Sequence, residues 1–435
     1  TNTLTIDGGD SATTAIESNL AVDNAVISLS SVSYTTIKNL TVRSLRTNTA
    51  LHFGVHLGGG SNFDSLVNVR VTVNPTATFN VFGVAATLNT TTNFGNGDHA
   101  NNFVMMNSSV DGGDWNVMFR GNGGNFPGPA STNGWNMNNQ FIGNTLTNAD
   151  DYGLYTDDQD GLLISGNTIS DLRTTSTFTG YGIAAFDGMN FTITGNNVIS
   201  PYTGIYVTNA NSSSNGTRVG FSEVSNNMVS CDRNSGIWLQ RPVAVNIWAN
   251  SVYCGTTSNF EAALYLDDGF GTPAMDSIDV RNNALSSLGK ALLLDEPDSV
   301  FLKFDNNSFF TASADLLDID GVLYATLAPY QLAQPGYNAS SLDGDPQFIS
   351  TTDLHVTGSF INDGGDNSVP ITVDIDGDTR PIAGSTTVDI GADEFDPPAC
   401  PPSTGLGATN ITLTTADIFW TGVTMDYEYE VVLAG

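Results

Sequence analysis

Apolar and polar positions alternate in short runs along the middle of the chain, and the runs repeat. A small residue, an aliphatic, a variable residue and a second apolar residue, then polar ones, recur as GLYTDD from Gly153, GIAAFD from Gly182, GIYVTN from Gly204, GIWLQR from Gly236, ALYLDD from Ala263 and ALLLDE from Ala291. Fainter copies stand earlier as GVHLGG from Gly54, GVAATL from Gly83 and NVMFRG from Asn116. Each is followed by a second alternating run that closes on Asn: LLISGN to Asn167, FTITGN to Asn196, VNIWAN to Asn250, SIDVRNN to Asn283 and FLKFDNN to Asn307. From Gly153, Gly182 and Gly236 the closing Asn is fourteen residues on, with no helical spacing between.

Period-two alternation describes strands with one buried face. A twenty-odd-residue repeat of such strands, without helices, predicts an all-β, right-handed, single-stranded parallel β-helix, a solenoid in which each repeat is one coil. Asn at the same place in each coil suits sharp turns, since it tolerates the left-handed conformation and its side chains can stack in a hydrogen-bonded ladder. Its role is read as structural.

Parity assigns the faces. Val55, Val84, Val117, Leu154, Ile183, Ile205, Ile237, Leu264 and Leu292 form one inward column. Two positions on, Leu57, Ala86, Phe119, Ala185, Val207, Leu239, Leu266 and Leu294 form a second, with Thr156 the polar exception. Cys231 and Cys254 each sit four places after a turn Asn, Asn227 and Asn250, so stacking at about 4.8 Å makes them neighbours and a disulfide is expected.

Composition narrows the partners. Lys and Arg number 13 against 45 Asp and Glu, a formal net charge of -32. That charge repels phosphate backbones and anionic membranes, which argues against nucleic acid and makes cations the better guess. No apolar run is long enough to insert in a bilayer. No organic cofactor motif stands out.

The end of the chain changes character. From Tyr337 it reads YNASSLDGDPQFIS, DLHVTGSFINDGGDN, DIDGDTRP and VDIGADEF, ending at Phe395. This run resembles the C-terminal section of bacterial secreted β-helix proteins with a choice-of-anchor Q domain, which implies an exported protein in which the section closes the helix. After DPPACPPS, the runs GLGATNITLTTADIFWTG, with Trp420, and YEYEVVLAG from Tyr427 resemble the first strands of a fibronectin type III module. The expected organisation is coils over 1–336, a capping section over 337–396, and hinge plus partial sandwich over 397–435. Together these resemble the large adhesins and enzymes that Bacteroidetes-type bacteria export by type IX secretion. A secreted or cell-surface location, with further domains in the same polypeptide, is implied.

Candidate chemistry lies on the outward column between the two buried ones: His56, Ala85, Met118, Tyr155, Ala184, Tyr206, Trp238, Tyr265 and Leu293. Tyr155, Tyr206, Trp238 and Tyr265 would stack into an apolar stripe for sugar rings, unless inserted loops cover it. Beside it the turns carry Arg120, Asp157, Asp158, Asp187, Arg241, Asp267, Asp268, Asp295 and Glu296. Carboxylates one coil apart, such as Asp158 and Asp187, would lie near 5 Å, the separation used by retaining glycosidases. TDDQDG from Thr156 is similar to the paired Asp of polygalacturonase-like β-helix enzymes, but Gly-His-Gly and Arg-x-Lys are missing. Lys38, Lys290 and Lys303 fall outside the acidic cluster. Asp374, Asp376 and Asp378 have the alternating acidic spacing of a calcium loop without the distal Glu of an EF-hand. Adhesion or recognition of extracellular polysaccharide leads; hydrolysis by Asp157, Asp158 and Asp187, and a passive spacer or fibre subunit, are the rivals.

Overall fold

The computed structural model describes residues 3–19, 24–87, 90–91, 100–121, 135–176, 178–212, 218–269, 274–395, 404–412 and 414–421. Over these the chain is a parallel β-helix. One thirteen-stranded sheet carries the Gly-aliphatic phrases, including Tyr152–Asp160, Tyr181–Met189, Ile237–Gln240 and Ala262–Asp267. A twenty-one-stranded sheet carries the two strands on either side of each turn Asn, for example Leu163–Ser165 and Thr168–Ser170. Coil pairs on parallel coil, so side chains twenty to forty residues apart become vertical neighbours.

Both inward columns fall in register. Val55 pairs with Val84, Val84 with Val117, Val117 with Leu154, and the series runs on to Leu292. The second column follows the same pairs, Thr156 included, and both lie in one continuous buried core. Burying each Leu or Ile contributes roughly 1.5–3 kcal/mol against a large backbone entropy cost.

The small residue of the phrase marks a corner. A Cβ on Gly204 would meet Val229 at 2.1 Å and the Gly236 carbonyl of the next coil at 2.5 Å. The glycine therefore faces inward beside the aliphatic that follows it, and alternation is broken there. Where an aromatic stands just before the glycine, as at Phe53, Phe82, Tyr152 and Tyr181, it lies outside that core in a second cluster.

The asparagine ladder forms, with one correction to its mechanism. From Asn144 through Asn167, Asn196, Asn227, Asn250 and Asn283 to Asn307, each side-chain amide donates to the next Oδ1 at 2.9–3.0 Å. Each of these Oδ1 atoms also accepts the main-chain N–H of the Asn one coil earlier. The left-handed conformation belongs to the preceding residue, such as Gly166 (φ 65°), Ala249 (φ 52°) or Asn282 (φ 59°). The ladder Asn supplies the hydrogen bonds and its neighbour supplies the bend.

A short helix, Leu327–Ala333, lies where the sequence shows no helical spacing. With the antiparallel pair Leu317–Ile319 and Val322–Tyr324, it covers the end of the core by burying Leu327 and Tyr330. Residues 337–395 take a different place from the expected closure. After Leu342–Asp343 pairs with the last coil, the segment runs back along the flank. There the Gly391 N–H donates to the Asn282 carbonyl, the Ala392 N–H to Ser251 Oγ, and Arg281 pairs with Asp366 at 2.6 Å. Arg380 and Glu394 form a buried ion pair inside it. Thr404–Thr409 and Asp417–Thr421 make an antiparallel pair. The rest of the stretch expected to begin a sandwich, with Tyr427, and Cys400 lie outside the described residues.

Cys231 and Cys254 are register partners, buried, with sulfurs 3.0 Å apart and not bonded. Under oxidising conditions, peptide mapping is expected to find their two peptides linked, whereas two freely alkylated thiols in the oxidised, denatured chain would count against the bridge. Asn227→Ala should cost about 2–4 kcal/mol in a denaturant titration, because the Asn196 amide and the Ile193 carbonyl lose buried partners. A loss below about 0.5 kcal/mol would contradict a stabilising ladder.

Candidate functional site

The register places the outward column as expected. Tyr155 stands over Ala184, Ala184 over Tyr206, Tyr206 over Trp238 and Trp238 over Tyr265. What covers it was not legible as a column in the sequence. Phe53, Phe82, Tyr152 and Tyr181, each before a corner glycine, and Trp115, before the buried Asn116, lie outside the main core and pack on one another, stacked or edge-on, at centroid distances of 4.7–5.6 Å. With Phe186 they pack against Tyr155 and Tyr206, which are only 7% and 8% exposed. The signal was an aromatic directly before the small residue: Phe53-Gly54, Phe82-Gly83, Tyr152-Gly153, Tyr181-Gly182.

Trp238 and Tyr265 remain half-buried. Their centroids are 5.5 Å apart at 16°, and Trp238 sits 4.3 Å from Tyr206. Rings this close cannot lie side by side in one plane, so they overlap like shingles and present edges with part of each face. Carboxylates are fixed at those edges. Asp267 accepts from Trp238 Nε1 at 3.1 Å, Gln240 Nε2 at 3.0 Å and the Gly269 N–H at 2.6 Å. Asp295 accepts from the Tyr265 hydroxyl at 2.6 Å, and burial raises its pKa despite that bond. Asp267, Asp268 and Asp295 bring carboxylate oxygens within 4.8 Å of one another. A cleft of about 380 Å³ opens beside them, lined by Phe260, Tyr265, Lys290, Asp295 and Asp318. Lys290, set apart from the acidic cluster by sequence position, pairs with Asp318 at 2.5 Å at this cleft.

The second group is the corner trio, Asp157, Asp158 and Asp187, whose carboxylate oxygens also lie within 4.8 Å of one another. Arg120 approaches Asp157 Oδ2 at 3.3 Å, as does the Tyr155 hydroxyl. Asn209 donates to Asp187, and the Arg241 charge acts on it. Asp158 is 1% exposed and neither of its oxygens has a hydrogen-bond partner. Burial pushes Asp157 up to about 6 against the pull of Arg120. Burial, with Asp157 and Asp187 nearby, pushes Asp158 up to about 7. Asp158, Asp187 and Arg241 all adopt left-handed backbone at this corner, with φ of 51–52°.

Asp374, Asp376 and Asp378 do not converge as one ligand set. Asp374 Oδ1 accepts the N–H groups of Asp376 and Asp378, and its Oδ2 that of Glu394. Asp376 instead meets His355 Nε2 at 2.9 Å, beside Asp393.

A third acidic cleft, not singled out in the sequence, holds Asp114, Asp150 and Asp151 around Trp115, with a volume of about 540 Å³. Trp115 and Tyr152 are register partners, so the Asp preceding each of them falls on one corner. Burial and the charges of Asp151 and Asp150 push Asp114 up to about 7, and burial pushes Asp151 up to about 6.

No family model and no curated protein matches the chain. Among solved structures it is similar to the Dettilon tailspike protein, at 11% identity and a TM-score of 0.41, over 78% of this chain and 63% of that one. The fold and its sites define a parallel β-helix protein with an aromatic, carboxylate-edged face.

Asp114 and Asp151 hold protons in the folded chain that the unfolded chain has already released above about pH 4. Their contribution to stability is therefore lost as pH rises towards about 7. The thermal midpoint is expected to fall between about pH 4.5 and about pH 7.5, and to fall less in Asp114→Asn; equal falls in both proteins would contradict this.

Proposed function

We propose that the chain is an extracellular glycan-recognition solenoid, part of a larger surface polypeptide, that binds polysaccharide at the Trp238–Tyr265 edge and the adjoining cleft. The observation that carries this is the pairing of each half-buried ring with a carboxylate: Trp238 Nε1 with Asp267, and the Tyr265 hydroxyl with Asp295. A sugar presents apolar C–H groups and a rim of hydroxyls. The rings suit the first; Asp295 at the cleft wall can accept from the second, while Asp267 holds the Trp238 edge in place. The net charge of -32 favours neutral glycans over polyanionic ones.

Hydrolysis by Asp157, Asp158 and Asp187 is the second reading. Their mutual spacing favours it, since retaining glycosidases keep two carboxyl groups roughly 5 Å apart. Burial of Asp158 counts against a glycosidic oxygen reaching it.

A panel of insoluble polysaccharides and a glycan array, read with wild type and Trp238→Ala, test the proposal. Wild type should be retained by at least one glycan, and Trp238→Ala should weaken that binding about tenfold or more, with Tyr265→Phe having a smaller effect. Unchanged binding in Trp238→Ala, or none by wild type, would overturn it. New reducing ends that disappear in Asp158→Asn would favour hydrolysis.

A further inference from the structure

The corner trio has a feature that the other acidic groups lack. At the Trp238–Tyr265 edge, both oxygens of Asp267 are occupied by Trp238, Gln240 and Gly269. At the flank, both ring nitrogens of His355 meet carboxylates, Asp353 and Asp376. Asp158, by contrast, is buried with both oxygens unpartnered and facing Asp157 and Asp187. A carboxylate taken out of water without a partner is costly, and a second charge of opposite sign is what offsets it. Arg120 pairs with Asp157 and reaches Asp158 only through its field, so among the described residues no cation pairs with the Asp158 carboxylate directly.

We propose that Asp157, Asp158 and Asp187 form a calcium site at this corner, distinct from the glycan face and independent of whether that face binds sugar. Donor chemistry selects the ion. The three side chains offer only carboxylate oxygens, all within 4.8 Å of one another, and calcium, a hard cation with flexible coordination, suits such a set better than magnesium, which demands a near-ideal octahedron. Arg120 and the Tyr155 hydroxyl both approach Oδ2 of Asp157, which leaves its other oxygen to the trio, and Asp187 is the partly exposed side from which an ion would enter. Gly121 keeps the corner open on the preceding coil, where a Cβ would come within 2.6 Å of the Asp158 Cβ. The ion would tie two consecutive coils together at a corner built from left-handed backbone.

The test uses chelator-treated protein titrated with calcium chloride, read by calorimetry for stoichiometry and by thermal melting. Wild type is expected to bind calcium and melt higher with it. In Asp158→Asn one binding event should disappear or weaken at least about tenfold, and the calcium-dependent rise should shrink, while melting in chelator is no lower than wild type. Asp187→Asn should lose the same event, and decides the matter alone if Asp158→Asn does not fold. Equal calcium stoichiometry and equal rise in wild type and in whichever variants fold, or no calcium binding by wild type at millimolar concentration, would overturn the proposal.

Discussion

Everything in this molecule depends on coils stacking in register, held by main-chain ladders and pinned by one column of asparagines. The ladder fixes more than stability. A slip of one residue would exchange the inward and outward faces of a strand, and the Asn rungs joining that coil to its neighbours would lose their partners. The column acts as a ruler: whatever the sequence places at a given offset from the Asn recurs at one place on the surface.

Register has a chemical consequence, because it sets like upon like. Aromatics land on aromatics, so the rings cover much of one another's faces, and Trp238 and Tyr265 stay partly available with carboxylates at their edges. Acids land near acids at the corners, as with Asp158 and Asp187 or Asp114 and Asp151, and burial with mutual repulsion raises their proton affinity. Clusters of this kind need a counter-charge, a proton or an ion, and the three acidic corners differ in which one their neighbours leave room for.

Much of the fold was legible in the sequence because period-two alternation and a recurring Asn are one-dimensional signals. Val55 through Leu292 could be aligned by eye and all lie inside. Three things were hidden. Corner glycines, and Asn116 in one coil, break the alternation, so the rings Phe53, Phe82, Trp115, Tyr152 and Tyr181 did not read as a face, and their cover over Tyr155 and Tyr206 could not be foreseen. The helix that caps the core at Tyr330 is too short to show a period. Lys290 reaches its cleft through stacking and a long side chain, which no spacing along the chain encodes.

The central claim is the register itself, and cysteine cross-linking measures it most directly. Thr192 and Glu223 are paired on adjacent coils and partly exposed, so Thr192→Cys with Glu223→Cys should form a bridge on mild oxidation, identified by mapping the linked peptides. Thr192→Cys with Ser225→Cys, two positions further along the same strand, should not. Efficient bridging of the second pair and none of the first would show a different register, and the aligned rings and carboxylates would go with it.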